Sequence, residues 1–65
     1  MNFETFLRLI SDEQEIRLIY ECYELHGTED AMGCMLGEDI YKGIVTDIEA
    51  AGNILKVWVK EAVNV

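Results

Sequence analysis

The chain has 65 residues, and thirteen acidic against five basic side chains give it a formal net charge of −8 at pH 7. A chain of this length forms one domain and buries only about 60% of the surface that it exposes when unfolded. Its hydrophobic fraction of 51% is too high for a disordered chain. The acidic balance argues against direct nucleic-acid binding, because phosphate contacts depend on clustered Lys and Arg side chains.

The sequence shows no pattern of export or of a membrane segment. Its start, Met1-Asn2-Phe3-Glu4, lacks the basic segment and long apolar run of a secretory signal. No apolar run approaches the ~20 residues needed to cross a bilayer. The two cysteines, at positions 22 and 34, do not make a disulfide framework. These features predict a cytoplasmic protein with reduced thiols and no membrane partner.

Residues 2–10 are predicted to form a short helix. Asn2 is placed to cap it by accepting a hydrogen bond from an amide of the first turn. Apolar residues recur at the i, i+3, i+4, i+7 spacing of one helical stripe, which comprises Phe3, Phe6, Leu7 and Ile10. Since so short a helix is unstable alone, we expect its two phenylalanines to dock on a sheet.

Two strands are predicted next. Glu15–Glu21 alternates apolar and polar side chains, and only Ile19 interrupts the polar side. Ile19 therefore marks either a second buried surface or an interface. Cys22–Thr28 is predicted as the second strand, although the residues near Glu21 offer no Gly, Pro or Asn for a turn. One long bent strand is the alternative.

A helical turn is predicted over residues 31–36, capped by Thr28 or Asp30. Gly37 is expected to end this turn with a positive φ angle. Met32, Met35 and Leu36 give the turn an apolar knob, which is either core or an adaptable binding patch.

The last part of the chain is predicted to form a β-hairpin. Its strands are Ile40–Ile48 and Ile54–Lys60, rich in β-branched and aromatic residues. Gly52 and Asn53 are expected to supply positive φ angles to the reversal between them. The fold class is therefore α+β. We predict one domain over residues 1–65, in which a four- or five-stranded antiparallel sheet curls around the N-terminal helix as a small SH3-like barrel.

Four phrases in this order carry a resemblance to known proteins: FETFLRLI at Phe3–Ile10, EIRLI at Glu15–Ile19, the run Leu25–Asp30, and Asn53–Val59. They resemble short proteins encoded by phages and prophages of Firmicutes and gut bacteria. The chain departs from that group at Cys34-Met35 and in its acidic middle. Since the group has no established activity, the resemblance implies a phage-type protein in a bacterial host cell and supplies no site.

No residue set indicates catalysis, a cofactor or a metal. His26, the single histidine, is four residues from Cys22, which along a strand is about 13 Å and too far to activate the thiol. Zinc needs four ligands in paired spacing, which Cys22, His26 and Cys34 do not supply. The paired acids lack the alternating pattern of a calcium loop. We expect a non-enzymatic protein without a cofactor.

The middle of the chain is its most distinctive part, because six carboxylates and no Lys or Arg lie between Leu18 and Tyr41. Such a run is either a solvated surface that keeps the protein soluble or a surface that meets a basic partner. Trp58 is a further candidate, because it lies between Lys56 and Lys60 on the less apolar side of strand 4 and tryptophan is favoured both in cores and at interface centres. The predicted partner-binding residues are Glu21, Glu24, Glu29, Asp30, Met35, Glu38, Asp39 and Trp58.

Two functional hypotheses follow. The first is an accessory protein that binds another protein with a basic surface, for example as an inhibitor of the anti-CRISPR or DNA-mimic type that occupies a nucleic-acid-binding groove. The alternative is a self-assembling module in which Ile19, Met35 and Trp58 form a symmetric homo-oligomer interface. Steep weakening with salt is expected of the first and not of the second.

Overall fold

The computed structural model describes residues 1–33 and 36–62. Within them the elements are α1 (Phe3–Arg8), β1 (Glu15–Tyr20), β2 (Tyr23–Gly27), α2 (Glu29–Met32), α3 (Glu38–Tyr41), β3 (Ile44–Ala51) and β4 (Ile54–Lys60). The strands form one sheet in the order β2-β1-β4-β3. The α+β class predicted from the sequence is confirmed.

The sheet is mixed and open. β1 pairs antiparallel with β2, and β3 pairs antiparallel with β4, but the two central strands β1 and β4 run parallel. The chain between Gly27 and Ile44 must therefore cross from one edge of the sheet to the other, as parallel pairing requires. The edge strands β2 and β3 are not paired with each other. The prediction of a wholly antiparallel SH3-like barrel is thus wrong in strand direction and in closure.

The core lies between the three helices and one face of the sheet. The predicted stripe of α1 is confirmed, since Phe3, Phe6 and Leu7 are buried. Met32 of α2 and Ile40 of α3 join the same cluster. Along β1 and β4 every second side chain faces the core. Leu55 is partly buried, and the buried ones are Ile16, Leu18, Tyr20, Val57 and Val59. The apolar knob predicted around residue 32 is therefore core at Met32 and at Leu36, and Met35 lies outside the described residues.

The N-terminal segment joins helix α1 to the edge of the sheet. Asn2 forms a β-bridge with Ile44, and the Val45 amide donates to the Met1 carbonyl at 2.9 Å. The Asn2 side chain caps α1 as predicted, because its Oδ1 accepts from the Thr5 amide at 2.8 Å. One short segment thus covers part of the free edge of β3 and fixes the direction in which α1 leaves it.

The two hairpin turns are short, and only the second differs from its prediction. The β1–β2 reversal is Glu21-Cys22, in which Glu21 has a φ of 50°, so the two strands are separate despite the missing glycine. In the β3–β4 reversal Gly52 has a φ of 65°, whereas Asn53 does not have a positive φ. A glycine with positive φ followed by an ordinary residue is the pattern of a type II′ turn.

The segment between β2 and β3 also differs. Thr28 caps α2 through a hydrogen bond from the Ala31 amide to its Oγ1, as predicted. Gly37 has a φ of −79° and precedes α3 as its N-cap, so the positive φ predicted there is wrong. Strand 3 begins at Ile44 and not at Ile40, because residues 38–41 form a helical turn that buries Ile40.

Candidate interaction surfaces

One face of the sheet is covered by no described helix, and we call it the outer face. Because β1 and β4 alternate, the side chains opposite the buried ones project from it. Strand register extends this face to β2 and β3. The outer face comprises Glu24 and His26 of β2, Glu15, Arg17 and Ile19 of β1, Ile54, Lys56, Trp58 and Lys60 of β4, and Ile44, Asp47, Glu49 and Ala51 of β3.

Ile19 and Trp58 form the apolar centre of the outer face. They are register partners on the two central strands, and both are half-buried among their neighbours. Ile19 interrupts the polar side of β1 because it packs beside Trp58 on this face, not because a second layer covers it. The sequence did not decide whether Ile19 belongs to a second buried surface or to an interface. In the structure Ile19 lies at the centre of the outer face, which no described helix covers.

Charged side chains surround this apolar centre. The cations Arg17, Lys56 and Lys60 lie on the central strands. Arg17 Nε is 2.8 Å from Glu24 Oε1, and His26 Nε2 is 3.7 Å from Glu15 Oε2. These side chains are about half exposed, and such exposed pairs contribute about 1 kcal/mol at most. The pairs nevertheless place Glu24 beside Arg17 and Glu15 beside His26 within the same sheet.

Charge is divided unequally between the outer face and the rest of the protein. Three of the five cations and four of the thirteen acids lie on the outer face, so its formal charge is −1 when His26 is neutral. All remaining acids and cations are in described residues, nine acids against two cations, and they sum to −7. The outer face is therefore almost neutral, and the helix-bearing side and the loops carry nearly all of the net charge.

Four of the predicted partner-binding acids lie in the first turns of α2 and α3, and we call them the α2–α3 acids: Glu29, Asp30, Glu38 and Asp39. Carboxylates are favoured there by the partial positive charge of a helix N-terminus. Glu38 Oε1 is 3.0 Å from Lys42 Nζ. That contact, a hydrogen bond reinforced by the charge of Glu38, raises the pKa of Lys42. Within the described chain the other three acids form no ion pair.

The predicted partner-binding residues do not form one surface. The α2–α3 acids lie with the helices that cover the core, whereas Glu24 and Trp58 lie on the outer face. Glu21 is at the exposed β1–β2 turn, and Met35 lies outside the described residues. Sequence reasoning placed Lys56 and Lys60 on either side of Trp58 in strand 4, but it did not bring Arg17 of the neighbouring strand to them. The alternating polar positions of β1 and β4 were visible, but only the parallel pairing places them side by side.

The described residues include an open hollow and the two side chains considered for catalysis, Cys22 and His26. A hollow of about 510 Å³ is open to solvent and is lined by Glu13, Gln14, Glu15, Gly52, Asn53 and Leu55. Cys22 is a free, exposed thiol in the β1–β2 turn, while the described contact of His26 is with Glu15. Residues 1–33 and 36–62 contain no group of three or more side chains placed to hold a metal ion. Cys34 is outside these ranges.

In the same residues, no helix has the length and apolar character needed to cross a bilayer. No protein-family model matches the chain, and neither a curated protein nor a solved structure matches it. The resemblance to phage-encoded proteins therefore stays a prediction.

Proposed function

We propose that this protein is a non-enzymatic accessory protein of phage type, which acts in the cytoplasm of a bacterial host cell by binding another protein through the α2–α3 acids. The observation that carries the proposal is the unequal division of charge. A formal charge of −7 is carried by residues outside the outer face. The α2–α3 acids contribute four of those negative charges within a short stretch of the chain. Such a field attracts a basic partner and speeds its association.

The structure of the α2–α3 segment supports a role in binding. Both turns are tied to the core, by Met32 in α2 and by Ile40 in α3, so their carboxylates are held on ordered backbone. Glu29, Asp30 and Asp39 form no ion pair within the described residues, although the charge of Asp39 contributes to the raised pKa of Lys42. A partner's Lys or Arg would therefore meet carboxylates that need not first break an internal ion pair.

The partner proposed is a protein with a basic, nucleic-acid-binding groove. A groove that binds a polyanion gains affinity by neutralising several negative charges at once, and a compact acidic protein can satisfy the same cations. Binding of this kind excludes the nucleic acid, which makes the protein an inhibitor of the DNA-mimic type. A duplex oligonucleotide should then compete with the protein for its partner.

The test compares two variants of equal net charge. In the first, the α2–α3 acids are neutralised (Glu29→Gln, Asp30→Asn, Glu38→Gln, Asp39→Asn). The matched control neutralises Glu4, Asp12, Glu13 and Glu61 in the same way. Each set removes four charges and one i,i+4 ion pair, Glu38–Lys42 or Glu4–Arg8. Both variants and the parent chain are immobilised in a host lysate, and the affinity of the captured partner is then measured against salt and against duplex DNA.

The proposal expects the parent chain and the control to retain one basic partner that the first variant loses. Affinity should fall steeply as salt shortens the screening length from about 10 Å at 0.1 M. Equal binding by all three proteins would contradict the role of the α2–α3 acids. Equal loss in both variants would show that net charge alone matters.

Self-assembly is the second candidate function, and the uncovered pair Ile19 and Trp58 favours it. It does not compete for the same surface, because the outer face and the α2–α3 acids are on different sides of the sheet.

A further inference from the structure

We propose that the outer face is an interface between two copies of this chain, which pack sheet against sheet. A four-stranded sheet buries its second face only if another layer covers it, and no described element does so here. The centre of the face is Ile19 beside Trp58, and Ile54 lies further along the strand of Trp58, beyond Lys56. A large aromatic residue at the centre of a charged rim is the usual anatomy of a protein interface.

Electrostatics identify a second copy as the occupant. Two molecules that each carry −8 repel one another most where their charge is concentrated, which is away from the outer face. The outer face is nearly neutral, so it is the side on which two copies approach at least cost. Its charge pattern is also self-complementary, with three cations on the central strands and three of its four acids on the edge strands β2 and β3.

A relative rotation of the two sheets lets these charges pair. Packed sheets cross at about 30° or at about 90°. Either crossing carries the central strands of one copy partly beneath an edge strand of the other. Lys60, whose register partner in its own sheet is the apolar Ile44, then faces an acid such as Asp47 of the other copy, and the Ile19–Trp58 centres meet on the two-fold axis.

The small area of the outer face limits the affinity that such a dimer can reach. Four strands about 4.8 Å apart and about six residues long at ~3.3 Å each give a face of roughly 19 by 20 Å. The area of such a face is below the ~800 Å² that each partner contributes to a standard interface. We therefore expect a weak, concentration-dependent dimer with a dissociation constant on the order of 0.1 mM.

Sedimentation equilibrium from about 10 μM to about 1 mM tests this expectation across the proposed constant. Ile19→Thr with Trp58→Thr keeps strand-forming residues but removes the apolar centre, and it should weaken the dimer about tenfold or more. The matched control is Leu9→Thr with Ile48→Thr, which removes two apolar side chains that are 70% and 43% exposed outside the outer face. The control should dimerise like the parent chain.

A pair of charge variants keeps the test decisive if the apolar variant fails to fold. Lys56→Glu on the outer face and Lys42→Glu on α3's C-terminal side change the net charge equally. Lys56→Glu should weaken the dimer about tenfold, whereas Lys42→Glu should change it by no more than about twofold. Equal effects of the two substitutions would overturn the assignment of the interface to the outer face.

Trp58 is the single tryptophan and reports on the interface directly. Its emission should shift to the blue and resist acrylamide quenching as the concentration rises. Added salt should change the dimer little, because it screens both the repulsion between two −8 molecules and the charge pairs across the interface, whereas it steeply weakens the proposed partner complex. A monomer at about 1 mM, or quenching of dilute Trp58 by a single-stranded oligonucleotide, would overturn the proposal.

Discussion

Gly43 lies so close to β4 that a Cβ atom on it would stand 2.5 Å from Val59 Cγ1. The same atom would be 3.0 Å from the Lys60 carbonyl oxygen and 3.1 Å from that of Ile40. Gly43 is buried, and its own carbonyl accepts from the Phe3 amide at 2.9 Å. Gly43 is therefore the point at which three parts of the fold meet: the end of the crossover, β4 and the start of α1. A side chain has no room there.

Gly43→Ala should lower the free energy of unfolding by about 1–3 kcal/mol, the usual cost of adding a methyl group to a packed site. Two of the atoms it would meet are backbone carbonyl oxygens, which yield less readily than side chains. The measurement is urea unfolding followed by circular dichroism. Gly37→Ala is the control, because a Cβ there meets nothing within 4 Å. Equal stability of the two variants would show that Val59 moves aside freely.

The crossover between Gly27 and Ile44 is also the part of the fold that the sequence predicted least well. Ile40 and Tyr41 have strand-forming side chains, so local propensity extended strand 3 through them. The acids at 38 and 39 directly after Gly37 indicate the start of a helix. This signal outweighs the strand propensity of Ile40 and Tyr41 because the helical turn buries Ile40. The parallel pairing of β1 and β4 could not be read from either hairpin, since it joins residues about forty positions apart and depends on the crossover.

Glu21 carries backbone strain in the β1–β2 turn. Its φ of 50° is the only positive value at a non-glycine residue within the described ranges. This conformation costs an L-residue roughly 1–2 kcal/mol. Glu21→Gly should therefore raise the free energy of unfolding by about 0.5–1 kcal/mol, after allowing for the greater freedom of glycine in the unfolded chain.

The control for Glu21→Gly is Cys22→Gly at the other turn position, where φ is not positive. It should be neutral or destabilising, and both are compared by thermal unfolding under the same reducing conditions. If both glycines stabilise equally, the turn adopts positive φ at both positions in solution. Because Glu21 is also a predicted partner-binding residue, Glu21→Gly separates the two roles: it should gain stability and lose affinity if both predictions hold.

Gln14 fastens the loop before β1 to the tip of the β3–β4 hairpin. Its Nε2 donates to the Asn53 carbonyl oxygen at 2.6 Å and to that of Glu15 at 2.9 Å. Gln14→Glu places a carboxylate against two carbonyl oxygens, so it should cost at least the ~0.5–1.5 kcal/mol of a hydrogen bond. Gln14→Ala should cost less, because it removes the donor without adding repulsion.

Amide hydrogen exchange locates the effect of the Gln14 substitutions. Gly52 and Asn53 should exchange faster in Gln14→Glu, while the core amides of β1 change only as global stability does. Uniform acceleration over the whole sheet would mean that Gln14 acts on global stability and not on the hairpin tip.

The candidate surfaces were only partly visible in the sequence. The acids of residues 21–39 were found by counting charges, and α2 and α3 hold four of them on the helix side. Trp58 was singled out by residue type and by its place between Lys56 and Lys60 in strand 4, but its neighbour Arg17 was not, because that proximity depends on the pairing of β1 with β4. Glu24 was grouped with the other acids by position, although in the fold it faces Arg17 on the opposite side of the sheet.

Lys42 should lose its raised pKa when Glu38 is neutralised. The hydrogen bond and the charge of Glu38 are the main causes that hold the pKa of Lys42 above its ordinary value of 10.5, and Asp39 and Glu4 add less. A raised pKa in the folded state stabilises the fold below the ordinary pKa, and this stabilisation disappears as the pH rises through the folded-state pKa. Glu38→Gln should bring the pKa of Lys42 back toward 10.5, as measured by NMR titration of its ε-methylene group. Glu4→Gln should move it less, and an equal shift in both variants would mean that Lys42 responds to the overall acidic field and not to its contact with Glu38.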